Sequence, residues 1–259
     1  MNQMQQYPQY PEGKAPPSSA YSDMETQPMQ MGMASTCVSQ CPPHVKGGFI
    51  RKVYSILTIQ LLVTAASSAL FMFHTGVQQW VMTNPSMLYT ALFLPFGFIM
   101  ALHCYKNSHP TNVWLLAGFT LCESYTVGFV CALYYQTGAG LIVLQALVLT
   151  AAVFVSLSTY VLVTKKDFSW LGGGLCAVLV VLIFWGFLNS FFPIPGAHMV
   201  FSLVGALLFA GYILYDTSQL IHNYGPDDYI VATISLYLDI INLFLYLLEL
   251  LRYLQGGDN

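Results

Sequence analysis

The chain has 259 residues, of which 56% are hydrophobic and only 7% charged, with a formal net charge of −3. A soluble domain carries roughly a quarter charged residues, so this composition excludes an ordinary water-covered globule and points to a surface that mostly meets lipid. Eight Lys and Arg in all, with no basic patch, exclude a nucleic-acid partner.

Residues 1–46 read differently from the rest. Gln5-Gln6-Tyr7-Pro8-Gln9-Tyr10-Pro11 and the stretch 15–19 are rich in Pro, Gln, Tyr and Ser. Such a segment buries too little apolar area to offset its ordering entropy, and is predicted to be a disordered tail. It has no apolar core near its start, so it is not a cleaved signal peptide. It is either a plain solvated tail or carries a short docking motif at Tyr7 to Pro11, for trafficking factors or cell-death regulators.

Residues 47–259 form a series of apolar runs, each near the roughly 20 residues that span a bilayer. The predicted spans are 53–73, 82–102, 113–135, 140–163, 170–192, 197–221 and 229–251. Backbone facing lipid must be bonded internally, so these runs are helices. The fold class is therefore an all-α membrane protein with about seven transmembrane helices, six plus a re-entrant piece being the alternative count. Short connectors hold the breakers: Asn84-Pro85, His109-Pro110, Gly138, Pro193-Ile194-Pro195-Gly196 and Gly225-Pro226. No internal repeat is visible, which disfavours an inverted-repeat transporter. Lys46, Arg51 and Lys52 precede the first span, Lys106 follows the second, and Lys165 and Lys166 follow the fourth. The alternate connectors carry no Lys or Arg, so the N-terminus is expected in the cytosol, with Arg252 the one dissenting charge. Of six cysteines, Cys122, Cys131 and Cys176 act as small hydrophobes inside spans. Cys104 sits at a span end, where palmitoylation is possible. Cys37 and Cys41 fall in the tail with no second pair at zinc spacing.

Charged side chains at bilayer depth usually face a bundle interior. Here they are Glu123, Asp216 and Asp239, with Glu249 nearer an end, and no Lys or Arg lies inside a span to pair with them. Asp216 lies roughly 8 Å before the short turn at 223–228, and Asp239 roughly 14 Å after it, at 1.5 Å per residue. Their depths agree closely enough for the carboxyls to meet across a helical hairpin. Two carboxyls in contact share a proton, and their deprotonation creates a hard-oxygen site suited to Ca²⁺. Ser235, Asp239, Asn242, Tyr246 and Glu249 are spaced 4, 3, 4, 3 along the seventh span; Tyr212, Asp216, Gln219 and Asn223 are spaced 4, 3, 4 along the sixth. Each set is a single helical stripe. Such stripes line a cavity, form a static polar seam, or carry catalysis. Glu123 is either a third wall of that cavity or a protonated Glu bonded to a neighbouring helix. His74, His103, His109, His198 and His222 read as interface residues, His222 with a possible share in pH sensing.

At these residues the chain resembles a known family. Leu236-Tyr237-Leu238-Asp239-Ile240-Ile241-Asn242-Leu243-Phe244-Leu245-Tyr246-Leu247-Leu248 is similar to the signature of the transmembrane Bax inhibitor motif family. Phe49-Ile50-Arg51-Lys52-Val53-Tyr54 with Leu57 and Gln60-Leu61-Leu62, His109-Pro110, the stretch 115–120 with Glu123, and Tyr215-Asp216-Thr217 resemble its Lifeguard branch. The resemblance spans residues 47–254. It implies a seven-helix bundle whose C-terminal helix is central. It also implies a calcium leak of intracellular membranes, the endoplasmic reticulum or Golgi, that dampens cell death. Asp216 and Asp239 match the paired aspartates that couple pH to pore opening in bacterial relatives. Some relatives latch the closed pore with an arginine in the second span; here only His103 and Lys106 stand at that span's end.

Three functions compete on these residues. The first is a pH-sensitive Ca²⁺ leak with Ca²⁺ as permeant ion, no cofactor and no catalysis. The second is a non-conducting protein that regulates cell death through partner binding. The third is an intramembrane aspartyl protease, which two carboxyls sharing a proton would suit. It lacks the Gly-x-Gly before its second Asp and the later Pro-Ala-Leu segment.

Overall fold

A computed structural model describes Val38, Cys41 and residues 43–105, 108–192 and 196–256. These residues form eight α-helices and no strand: α1 (Pro43–Phe73), α2 (Thr75–Thr83), α3 (Pro85–Tyr105), α4 (Thr111–Gln136), α5 (Gly140–Thr164), α6 (Leu171–Phe191), α7 (Ala197–His222) and α8 (Tyr229–Gly256). All but α2 are long and apolar enough to cross a bilayer, which gives seven spans among the described residues. The expectations for residues 1–37, for Lys106 and for Pro193-Ile194-Pro195 lie outside the described residues.

Turn chemistry sets the joints. Pro43 and Pro85 open their helices, where a missing N–H is no loss. Gly138 and Gly196 adopt φ of 79° and 76°, the left-handed region that a side chain disfavours, and so reverse the chain before α5 and α7.

The first two spans differ from expectation. α1 starts at Pro43, ten residues before the predicted Val53. Lys46, Arg51 and Lys52 lower the local hydropathy and hide that start, yet Phe49 and Val53 on the same stretch are buried. Lys52 places its Nζ 3.2 Å from the centroid of the Tyr229 ring, a cation–π contact that ties α1 to the start of α8. Val38 and Cys41, read as solvated tail, are buried as well. The Val38 N–H donates to the Tyr224 carbonyl at 2.8 Å, seating this piece on the α7–α8 turn. The second span, expected at 82–102, lies three residues later as α3, and the short α2 that precedes Asn84-Pro85 was not expected.

α8 is the central helix. Of its apolar window 61% is buried inside the bundle, against 6% for α6. It packs on α1, α4, α5 and α7, whereas α6 leans on α7 and α3 on α4. The near end of the bundle, where α1 begins, also holds the α5–α6 and α7–α8 connectors. The far end holds the start of α7 and the end of α8.

Candidate functional site

The α7–α8 hairpin positions the site. Its turn is closed by the Tyr224 N–H on the Gln219 carbonyl (3.0 Å) and by the Gly225 N–H on the Asp228 carboxylate (3.1 Å). Further along, the two backbones approach closely at Gly205, where a Cβ would fall inside the Tyr246 ring. This close antiparallel packing brings Asp216 and Asp239 face to face. Both are buried, 8% and 5% exposed, and their carboxyls lie within hydrogen-bonding reach of each other. A carboxyl pair bonds in this way only when it holds a proton. The Asp239 Oδ2 is buried without a hydrogen-bond partner. Among the described residues neither acid has a Lys or Arg neighbour to neutralise it.

Other groups complete the surroundings. Tyr212 of α7 lies near both acids, with Tyr215 of α7 and Cys176 of α6 beside Tyr212 in turn. Tyr224 reaches in from the turn, its hydroxyl bonded to Ser235. Burial and the nearby Asp216 push the Tyr224 hydroxyl up to about 12, so it stays a neutral donor and acceptor. Tyr215 lies over Gly172 at the start of α6; a Cβ there would meet its ring at 2.8 Å. No three His, Cys, Asp or Glu side chains converge among the described residues.

The two stripes divide into separate clusters. Tyr212 and Ser235 belong with the acids. Gln219 sits at the near end, accepting from Asn223, which also donates to the Ser169 hydroxyl at 3.0 Å. Exposed Asp167 accepts from the Ser169 hydroxyl (2.6 Å) and N–H (2.8 Å), which hold its carboxyl below the usual range. Asn242 donates to the Leu238 carbonyl of its own helix at 2.8 Å. Tyr246 stacks on Phe209 and tilts against Phe201, both 5.7 Å between centroids. These rings close the seam between the acids and the far end. Glu249 is at that far end, 3.7 Å from the His198 Nδ1. His198 also stacks on Tyr253 and meets the Asn189 amide at 3.2 Å.

Glu123 does not join the acids. It lies beside Tyr237 and Cys122, and Tyr237 precedes Asp239 by two residues, roughly 200° around α8. On that side of α8 lies a second polar seam. Thr64 bonds to the Tyr237 hydroxyl at 2.8 Å and the Ser124 hydroxyl at 3.0 Å; the Gln60 amide donates to Thr120 at 2.8 Å. It links α1, α4 and α8. The signal for it was present in the spacing of Gln60, Thr64 and Ser68, four residues apart on α1. A cavity of about 1030 Å³ lies elsewhere again, among α1, α4, α5 and α8, and none of the nine candidate residues lines it.

A family model described as "Inhibitor of apoptosis-promoting Bax1" matches residues 46–256. The Golgi anti-apoptotic protein of vaccinia virus (strain Lister) is 44% identical over 215 residues, 83% of this chain and 89% of the relative. Protein lifeguard 4 of Mus musculus is 43% identical over 217 residues, 84% and 90% of the two chains. Bax inhibitor 1 of Schizosaccharomyces pombe is 36% identical over 250 residues, 95% and 92% of the two. With seven apolar spans around a buried C-terminal helix, and matches over nearly its whole bundle, this integral membrane protein belongs to the Bax inhibitor family.

Proposed function

We propose that the chain is a passive Ca²⁺ leak pathway of a Golgi or endoplasmic reticulum membrane, gated by the proton held between Asp216 and Asp239, and that the leak restrains apoptosis. The observation that carries this reading is the contact of two buried acids with no cationic neighbour. With one proton shared, the carboxyls hydrogen-bond and α7 and α8 stay packed. Without it, two negative charges in a low dielectric repel and attract a divalent cation. Tyr212, Tyr215, Tyr224 and Cys176, the other titratable groups around the pair, offer hydroxyl or thiol dipoles to either state. The aromatic layer of Phe201, Phe209 and Tyr246 supports reading the described arrangement as the closed one.

The names of the viral and mouse relatives support the cell-death and Golgi parts of this reading. The basic residues Lys46, Arg51, Lys52, Lys165 and Lys166 gather at the near end and support a cytosolic N-terminus.

The test is Ca²⁺ efflux from liposomes reconstituted with the purified protein at pH 6 and pH 8. Wild type is expected to leak faster at pH 8, and Asp239→Asn and Asp216→Asn to leak at rates that no longer follow pH. Unchanged flux and unchanged pH dependence in Asp239→Asn would sink the mechanism.

A further inference from the structure

The cavity of about 1030 Å³ is a lateral crevice. Its walls are α1 and α5, its floor the face of α8 formed by Ile240, Ile241 and Phe244, with Val127 and Cys131 of α4 beside them. α1 packs on α4 and α8, while α5 packs on α7 and α8, so the two walls stand apart. Their lips are open: Leu62 is 64% exposed and Leu141 74%. Both lips belong to spanning helices, so the opening faces bilayer hydrocarbon rather than water.

The chemistry of the walls selects the occupant. Among the described residues no charged one lines the crevice. Five hydroxyls do; four of them donate to the carbonyl one turn back on their own helix, Thr58 to Tyr54 (2.7 Å), Thr64 to Gln60 (2.9 Å), Ser68 to Thr64 (2.8 Å) and Thr150 to Ala146 (2.7 Å), and the fifth belongs to Tyr135 at the end of α4. With their protons turned inward, those four offer a ligand methyl groups and methylenes. A polar molecule would leave its own groups unpaired there, at a penalty of a few kcal/mol each. The volume is about seven times that of an apolar cavity that holds benzene. Along α5 the lining runs from Leu141 to Val155, roughly 21 Å at 1.5 Å per residue, longer than one leaflet of about 15 Å.

We propose that this crevice is a binding site for the acyl tail of a bilayer phospholipid, recognised by the tail and not by the headgroup, which follows the groove past the membrane midplane and packs against the back of the helix that carries Asp239. Small residues make the room: Ala65, Ala69 and Ala151 face the groove, where larger side chains would occupy it. The site is independent of whether the protein conducts ions.

Native mass spectrometry of the detergent-purified protein tests this. Wild type is expected to retain phospholipid of several headgroup classes in proportion to their abundance. Ala65→Phe with Ala151→Phe fills the groove and is expected to lower retained phospholipid about tenfold. Ala66→Phe with Ala152→Phe makes the same change outside the lining and is expected to retain as wild type does. Retention that survives filling, that is lost equally in both pairs, that selects one headgroup, or that is confined to sterol overturns the proposal. Should the filled variant not fold, nanodiscs give a second reading with single tryptophans, Leu147→Trp in the groove and Leu188→Trp on α6, in a chain with its native tryptophans replaced by phenylalanine. Quenching by tail-brominated phospholipid is expected to wash out more slowly at position 147. Equal rates at the two positions overturn the proposal.

Discussion

Two polar seams run along α8, and they meet the problem of burial in opposite ways. On one side Tyr237 joins Thr64, Ser124, Gln60 and Thr120 in a network of neutral donors and acceptors. On the other, Asp239 faces Asp216 with no cation beside them among the described residues; each seam leaves one buried oxygen unpartnered, Gln60 Oε1 on the first and Asp239 Oδ2 on the second, so the difference is the charge the acids can carry. Buried networks satisfied by neutral groups rigidify a core and are indifferent to pH. A buried acid pair is satisfied only while it holds a proton. On the proposed mechanism the same helix has a fixed side, pinned to α1 and α4, and a responsive side, hinged to α7 through one short turn. A gate needs both, because a helix free on every face would shift without direction.

The strongest way to break this contrast is at Gly205, which lets α7 and α8 approach. A Cβ there would overlap the Tyr246 ring, and that ring is held by Phe209 and Phe201. Gly205→Val is expected to force the helices apart and destabilise the protein by about 3 kcal/mol, the upper end for overpacking. Thermal unfolding in detergent, followed by size-exclusion fluorescence, measures it. The comparison predicts that the loss is greater at pH 6 than at pH 8, because only the protonated, bonded pair depends on close approach.

Next in size is Tyr237→Phe. Removing the hydroxyl leaves Thr64 and Ser124 short of a partner in a dry interior, which costs about 1–3 kcal/mol. Here the expected loss is the same at pH 6 and pH 8. A pH-dependent loss would show that Glu123, which lies near Tyr237, couples the two seams and that the fixed side is not fixed.

How far the sequence foretold these seams depends on the type of signal. The spans after the first were readable to within a few residues, the short α2 aside, and for the last helix only the end differed, Gly256 in place of Leu251. Long apolar runs leave a lipid-facing backbone no alternative to the helix. The start of α1 was not readable, because Lys46, Arg51 and Lys52 look like a solvated flank while Phe49 and Val53 beneath them pack inward. The placement of Val38 on Tyr224 was invisible too, since a single apolar residue in a polar stretch has no period to read. In the site, Asp216 and Asp239 announced themselves as unpaired charges on facing stripes. Asn242 and Tyr246 shared the stripe but not the role: one bonds its own backbone and the other fills space. Helical spacing fixes the face of a side chain, not what it finds there. Glu123 stayed open between a wall beside the acids and a place against a neighbouring helix for the same reason, since nothing in its own segment told which side of α8 it would meet.

The smallest expected effect lies at the far end of the responsive seam. His198 and Glu249 stand 3.7 Å apart, with side chains 43% and 30% exposed. A pair this open to water contributes roughly 0–1 kcal/mol. His198→Ala would also remove the stacking on Tyr253 and the contact with Asn189, whereas His198→Gln keeps a polar group there and leaves no charge at any pH. His198→Gln is expected to lower stability by less than about 1 kcal/mol and to leave the pH dependence of Ca²⁺ flux as it is in wild type. That outcome would assign the proton response to the buried pair alone. Should His198→Gln instead flatten the flux profile, the far-end ion pair would be part of the gate. The responsive side would then extend along the whole of α8, with the aromatic layer of Phe201, Phe209 and Tyr246 transmitting the change between two titrating ends.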